Sequence, residues 1–142
     1  MKLYIYQGLD DEKVPKDTTR VIVDNSVTVI KRDTFYLCRH LVSVIMGDNV
    51  KRIEHYAFDY CIALRFIRFS RTLEYIGSGT FAECESLEAL FLPSTVTTIE
   101  YEAFVHHSTS CVTLPLSRQS KSTTTSMRIL AILHSNPTQF VA

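Results

Sequence analysis

The side chains best suited to chemistry are four cysteines, Cys38, Cys61, Cys84 and Cys111, and five histidines, His40, His55, His106, His107 and His134. A thiolate can attack an electrophile or bind a soft metal, and an imidazole can move a proton or ligate zinc. Spacing decides whether they can act together. Cys38, Cys61 and Cys84 lie 23 residues apart. In a chain that folds with that period they stack in a row at about the strand spacing, ~4.8 Å. A row does not converge on a point, as a tetrahedral zinc site requires. Neighbouring cysteines are within bridging range, since disulfide Cα atoms lie ~4.4–6.8 Å apart, but parallel Cβ vectors and a reducing compartment oppose the bond. The row therefore reads as small buried hydrophobes. Cys111 stands outside it without a disulfide partner.

The other constellations are equally bland. His106 and His107 are adjacent, so their side chains diverge in extended chain, and no third or fourth ligand completes a metal spacing with Cys111. No glycine-rich phosphate loop, nucleophile elbow or paired-histidine helix motif occurs. Asp10, Asp11 and Glu12 read as a solvated loop cluster, lacking the alternation of a calcium loop. The expectation is no catalytic residue, no metal and no cofactor.

The elements that would position any site follow from a repeat. Residues 27–49, 50–72 and 73–95 are one 23-residue pattern written three times, and a fourth copy starts at Val96. The fourth position is Ile30, Ile53, Ile76 and Ile99. The ninth is Phe35, Phe58, Phe81 and Phe104, each preceded by a small residue: Thr34, Ala57, Thr80 and Ala103. The fifteenth is Leu41, Leu64 and Leu87. The eighteenth and twentieth are Val44 and Met46, Ile67 and Phe69, and Leu90 and Leu92, alternating as in a half-buried strand. Ordering 23 backbones costs more than burying so few side chains returns, so a single unit cannot stand alone. Stacked units, each pairing its strand with the next, can.

Composition fits this scaffold. The chain has 142 residues, 46% of them hydrophobic and 21% charged, ordinary values for a soluble fold. Fifteen basic and fifteen acidic residues cancel, leaving no global field to draw in nucleic acid or an anionic membrane. The start, MKLYIYQGLDDEK, is neither a signal peptide nor a spanning helix, which sets the expectation of an intracellular protein.

These letters resemble the BspA-like class of leucine-rich repeats, in which L-x-x-I-x-L and turn residues precede V-x-x-I-x-x-x-x-F-x-x-C. The matching stretches are LEALFLPSTVTTIEYEAF (87–104) and LRFIRFSRTLEYIGSGTFAEC (64–84). The resemblance implies a leucine-rich-repeat solenoid of about four coils, right-handed, with short parallel strands along one side and irregular or short helical returns. It implies binding of another macromolecule and carries no shared catalytic residue. Members occur in cell-surface proteins of bacteria and protists and in large intracellular-looking families of unicellular eukaryotes.

The organisation expected is an N-terminal cap over 1–13, repeats over 14–116, and a polar linker with a short apolar tail over 117–142. Residues 3–6 suit a short strand, and 14–26 read as a half-repeat supplying the first coil's strand. Allowing one inserted residue in the fourth unit places Val112, Leu114 and Leu116 near a strand position, and Pro115 marks it as a last strand. The Ser/Thr-rich 117–126 has nothing to bury. Residues 127–134 either make two helical turns over the open end or form an unstructured tail.

Function then rests on the outward letters. Where positions 18 and 20 point in, 17 and 19 point out: Ser43 and Ile45, Phe66 and Arg68, Ala89 and Phe91. Ile45, Phe66 and Phe91, flanked by Arg65 and Arg68, form a candidate partner-binding face of the kind found at protein interfaces. The bland reading is a set of ordinary β-formers on a solvated sheet, or under a terminus. The leading expectation is a non-enzymatic scaffold binding a protein, with no nucleic acid, membrane segment or small-molecule substrate. The alternatives are a structural or vestigial repeat fragment, and a thiol redox protein, which needs an exposed cysteine.

Overall fold

The computed structural model describes residues 1–88, 90–104 and 112–113. The 23-residue pattern becomes a solenoid in which each turn contributes two short strands to two separate parallel sheets. The first sheet holds β1 (Leu3–Tyr6), β2 (Arg20–Val23), β4 (Ser43–Ile45) and β6 (Phe66–Arg68), in that order. The second holds β3 (Val29–Ile30), β5 (Arg52–Ile53), β7 (Tyr75–Ile76) and β9 (Thr98–Ile99). A third pairing joins β8 (Leu90–Phe91) to β10 (Val112–Thr113). The Glu88 N–H donates to the Arg65 carbonyl at 3.3 Å, so β8 follows beside β6. All pairs are parallel. Four units start, and about three turns are completed among the described residues.

Register makes the period visible. Arg20 faces Ser43 and Ser43 faces Phe66, each a step of 23. At the start, Leu3 faces Arg20, a step of only 17. The first coil is thus a shortened one, and its strand β1 extends the first sheet in parallel with β2. At the far end Val112 faces Leu90, a step of 22. The expectation of one inserted residue there is corrected: the loop from β8 to β10 is one residue shorter than a full coil, not longer. Leu114, Pro115, Leu116 and the tail 117–142 lie outside the described residues.

The returns contain no helix among the described residues; they are chains of turns. Their backbone is held by a ladder running forward through the stack. Phe35 N–H donates to Ala57 C=O (2.8 Å), Phe58 to Thr80 (3.0 Å) and Phe81 to Ala103 (2.8 Å). On either side of each Phe the chain enters the left-handed region, at Asp33 and Leu37, Tyr56 and Tyr60, and Gly79 and Glu83. Asp33, Leu37, Tyr56 and Tyr60 each give their N–H to a carbonyl of the following coil. A left-handed non-glycine residue costs ~1–2 kcal/mol, which these inter-coil hydrogen bonds help to offset. At the last position of each unit a polar side chain reaches back one coil. Asn49 donates to the Asn25 carbonyl (2.7 Å), Thr72 to Asp48 (2.9 Å) and Thr95 to Arg71 (3.2 Å).

The core lies between the sheets. Phe35, Phe58, Phe81 and Phe104 stack at centroid distances of 4.8, 5.4 and 5.3 Å with interplanar angles of 11°, 5° and 9°. Tyr6 closes the N-terminal end of the stack edge-on to Phe35 at 5.4 Å. The isoleucine, leucine and cysteine rows are buried beside it. Glu12, expected in a solvated cluster, is half-buried instead. Its carboxylate accepts from the Gln7 and Leu9 N–H groups and the Tyr4 hydroxyl, tying the loop after β1 in place.

Candidate binding face and buried thiols

The cysteine row is a feature of the core. Cys38, Cys61 and Cys84 are free and fully buried. The Cys61 and Cys84 thiols each donate to a phenylalanine carbonyl one coil back, Phe35 and Phe58, at 3.2 Å. Burial pushes the Cys61 and Cys84 thiols well above the ordinary range. Cys38 is raised by burial too, partly countered by the Lys16 ammonium 4.0 Å from its sulfur. A neutral, enclosed thiol is a poor nucleophile, so these three do not have the exposure that redox chemistry demands. Cys111, His106, His107 and His134 lie outside the described residues. His40 is exposed, and the His55 Nδ1 accepts the Ser78 N–H at 3.0 Å, tying two coils together. Among the described residues no group of three or more His, Cys, Asp or Glu side chains is placed to hold a metal ion. No described helix is long and apolar enough to cross a membrane.

One carboxylate stands apart. Asp59 is 9% exposed, and one of its oxygens, Oδ1, is buried without a hydrogen-bond partner. Burial raises its pKa above the ordinary carboxylate value, and Glu83 and Asp33 add to the effect.

The outward face of the first sheet carries the candidate residues. Parallel pairing at a period of 23 forces equivalent positions into rows across the strands. One row runs Leu3, Arg20, Ser43, Phe66, and the other Ile5, Ile22, Ile45, Arg68. Phe91 lies beyond them on β8. Phe66 is 55% exposed and Phe91 69%. Arg65 and Arg68 are exposed, and Ile45 is half-buried. Arg65 has partners of its own, an ion pair with Glu88 and the Phe66 ring 5.6 Å from its guanidinium carbon. Leu3, Ile5, Arg20 and Ile22 had not been singled out from the sequence. The alternation that identified Ile45 also marks Ile22 in VIV, but β1 joins the sheet through a shortened coil that breaks the count.

Across β2, β4 and β6 this face forms a shallow groove of about 640 Å3 with mostly apolar walls, Val42, Ile45 and Phe66 among them. Arg20 and Arg68 stand in its lining and Met1 contributes at one side. The arrangement can hold an apolar side chain and oppose a negative charge.

Coils of fixed period, paired in parallel around an isoleucine, phenylalanine and leucine core, define a leucine-rich-repeat scaffold. More particularly, the chain belongs to the BspA-type leucine-rich repeat family, whose model matches residues 15–125 in six copies. Among solved structures it is similar to a leucine-rich repeat protein of T. pallidum, at 30% identity and a TM-score of 0.61, covering 73% of this chain and 47% of that one. It is also similar in fold to a leucine-rich cell surface protein of Faecalibacterium prausnitzii A2-165, at 22% identity and a TM-score of 0.66, covering 92% of this chain and 38% of that one. The chain spans less than half the length of either. No curated protein matches it.

Proposed function

We propose that the chain is a non-enzymatic recognition module that binds another protein through the outward face of its first sheet. The observation that carries this reading is the exposed pair Phe66 and Phe91 beside the apolar row Ile5, Ile22, Ile45. Apolar and aromatic side chains held on rigid strands, with arginines among them, have the composition of protein-binding hot spots. Family membership supports the scaffold part of the reading. The choice of face rests on the exposure of these side chains.

Replacing Phe66, Arg68 and Phe91 with serine tests the face. All three are exposed, so the variant is expected to keep its circular dichroism spectrum and thermal midpoint. In affinity capture from the native cell, the proteins recovered on the wild-type chain should be lost from the triple variant. A folded triple variant that retains every one of them refutes the assignment.

A further inference from the structure

Two of the basic side chains near the face have an acidic neighbour. Lys2 pairs with Asp17, and Arg65 with Glu88. Arg20 and Arg68 do not: the former reaches only the Met1 sulfur at 3.7 Å, and no carboxylate of the described residues lies within ion-pair distance of either. Both line the groove. An unpaired guanidinium on an apolar wall is weakly hydrated and presents a planar fork that fits a carboxylate. Two of them give the groove a positive character that the neutral chain as a whole lacks.

Their placement sets a spacing. Arg20 lies in register with Phe66, and Arg68 with Ile22. The two are therefore two strands and two residues apart, a Cα diagonal of about 12 Å at ~4.8 Å per strand and ~3.3 Å per residue. The half-buried Ile45 and the exposed Phe66 ring lie around this diagonal. In an extended peptide, residues i, i+2 and i+4 share one face, and i to i+4 spans about 13 Å. The three features of the groove, cation, apolar floor and cation, match that period.

Resting on the binding face proposed above, we infer that the groove takes an extended acidic segment of a partner protein, with the pattern carboxylate, any residue, bulky apolar residue, any residue, carboxylate. The apolar side chain enters the groove, and the two carboxylates meet Arg20 and Arg68. Charge complementarity selects this occupant over a neutral or basic peptide.

The test is fluorescence anisotropy of the full chain with short labelled peptides of core Glu-Thr-Φ-Thr-Glu, where Φ is Leu, Phe or Trp. Each is paired with a version carrying Gln for both Glu, and a single-stranded oligonucleotide serves as a further probe. At low ionic strength at least one Glu peptide should bind about tenfold or more tightly than its Gln counterpart. The gap should narrow as salt rises, and Arg20→Gln with Arg68→Gln should remove it. Phe66→Ser should weaken Glu and Gln peptides alike. Equal binding of Glu and Gln peptides that Phe66→Ser abolishes overturns the acidic chemistry and leaves the face standing. A Glu preference that persists in the double arginine variant overturns the placement. Absence of binding by every peptide, or tighter binding of the oligonucleotide, overturns the inference outright, whereas the serine-variant capture experiment judges the face separately.

Discussion

Phe58 is the most informative residue to perturb, because it is fully buried between two rings of the stack. Phe35 lies 4.8 Å away on one side and Phe81 5.4 Å on the other, both within 11° of parallel. Removing the whole side chain, as in Phe58→Ala, is expected to cost ~3–5 kcal/mol, the range for emptying a buried phenylalanine site. Phe58→Leu keeps most of the apolar volume but breaks two ring contacts. At ~0.5–1.5 kcal/mol per aromatic pair, that term is ~1–3 kcal/mol. A double-mutant cycle isolates it. Leucine at Phe35 and Phe58, separately and together, should show a coupling of ~0.5–1.5 kcal/mol. The same cycle on Phe35 and Phe81, which meet only through Phe58, should show a smaller coupling. Urea unfolding followed by circular dichroism provides the free energies, and an unchanged denaturant slope shows that the coils still melt as one unit. Equal coupling for the adjacent and the separated pair would refute a nearest-neighbour stack. A slope that falls sharply in Phe58→Ala would refute cooperative unfolding of the described coils.

Three further outcomes follow from the geometry. Because burial raises the pKa of Asp59, the folded chain holds that proton more tightly than the unfolded chain does. Its effect is most favourable below the ordinary carboxylate pKa and is lost as pH rises through the raised value, so Asp59→Asn should raise the thermal midpoint at neutral pH and flatten its pH profile in the acid range. Identical profiles for the two proteins would show that Asp59 is solvated. Gly79 has φ of +63°, and a Cβ there would lie 2.4 Å from the Tyr56 ring, so Gly79→Ala should destabilise by ~1 kcal/mol or more in urea. Tyr56→Ala in the same background should recover part of that loss. In the folded protein Cys38, Cys61 and Cys84 should react with a thiol reagent only at the rate of global opening, and labelling within seconds would bring the redox reading back.

The inward rows were legible because a side chain that must be buried in every coil is constrained to one type. Ile53, Phe58, Cys61 and Leu64 all lie where their spacing implied, and so do their counterparts among the described residues of the other units. The second sheet was not legible. Pairs such as Arg52-Ile53 and Tyr75-Ile76 are too short to show alternation, and what pairs them is backbone, which leaves no letter behind. The left-handed corners were hidden for a related reason. Only Gly79 advertises one, whereas Leu37, Tyr56 and Tyr60 are held there by hydrogen bonds to the following coil. The polar residues ending each unit looked like generic turn formers, and their reach to the preceding coil emerges only from stacking. On the candidate face, the exposure of Phe66 and Phe91 followed from strand parity. Arg20 lies one full period of 23 before Ser43, so the same count reaches it, whereas Leu3 and Ile5 are hidden by a first coil six residues short of that period.

The coil formed by residues 50–72 meets its predecessor and its successor through matching surfaces, with ring on ring, isoleucine beside isoleucine, and the same carbonyl awaiting each thiol. A tandem duplication of that segment would therefore find both of its new junctions already built. Lineages that gain or drop one such segment would change how far the face extends along the stack without redesigning a single contact. Length becomes a heritable trait that can vary in whole steps while the fold stays constant. The outward letters of each new copy are then free to diverge, and a partner of a different size can be met by counting coils.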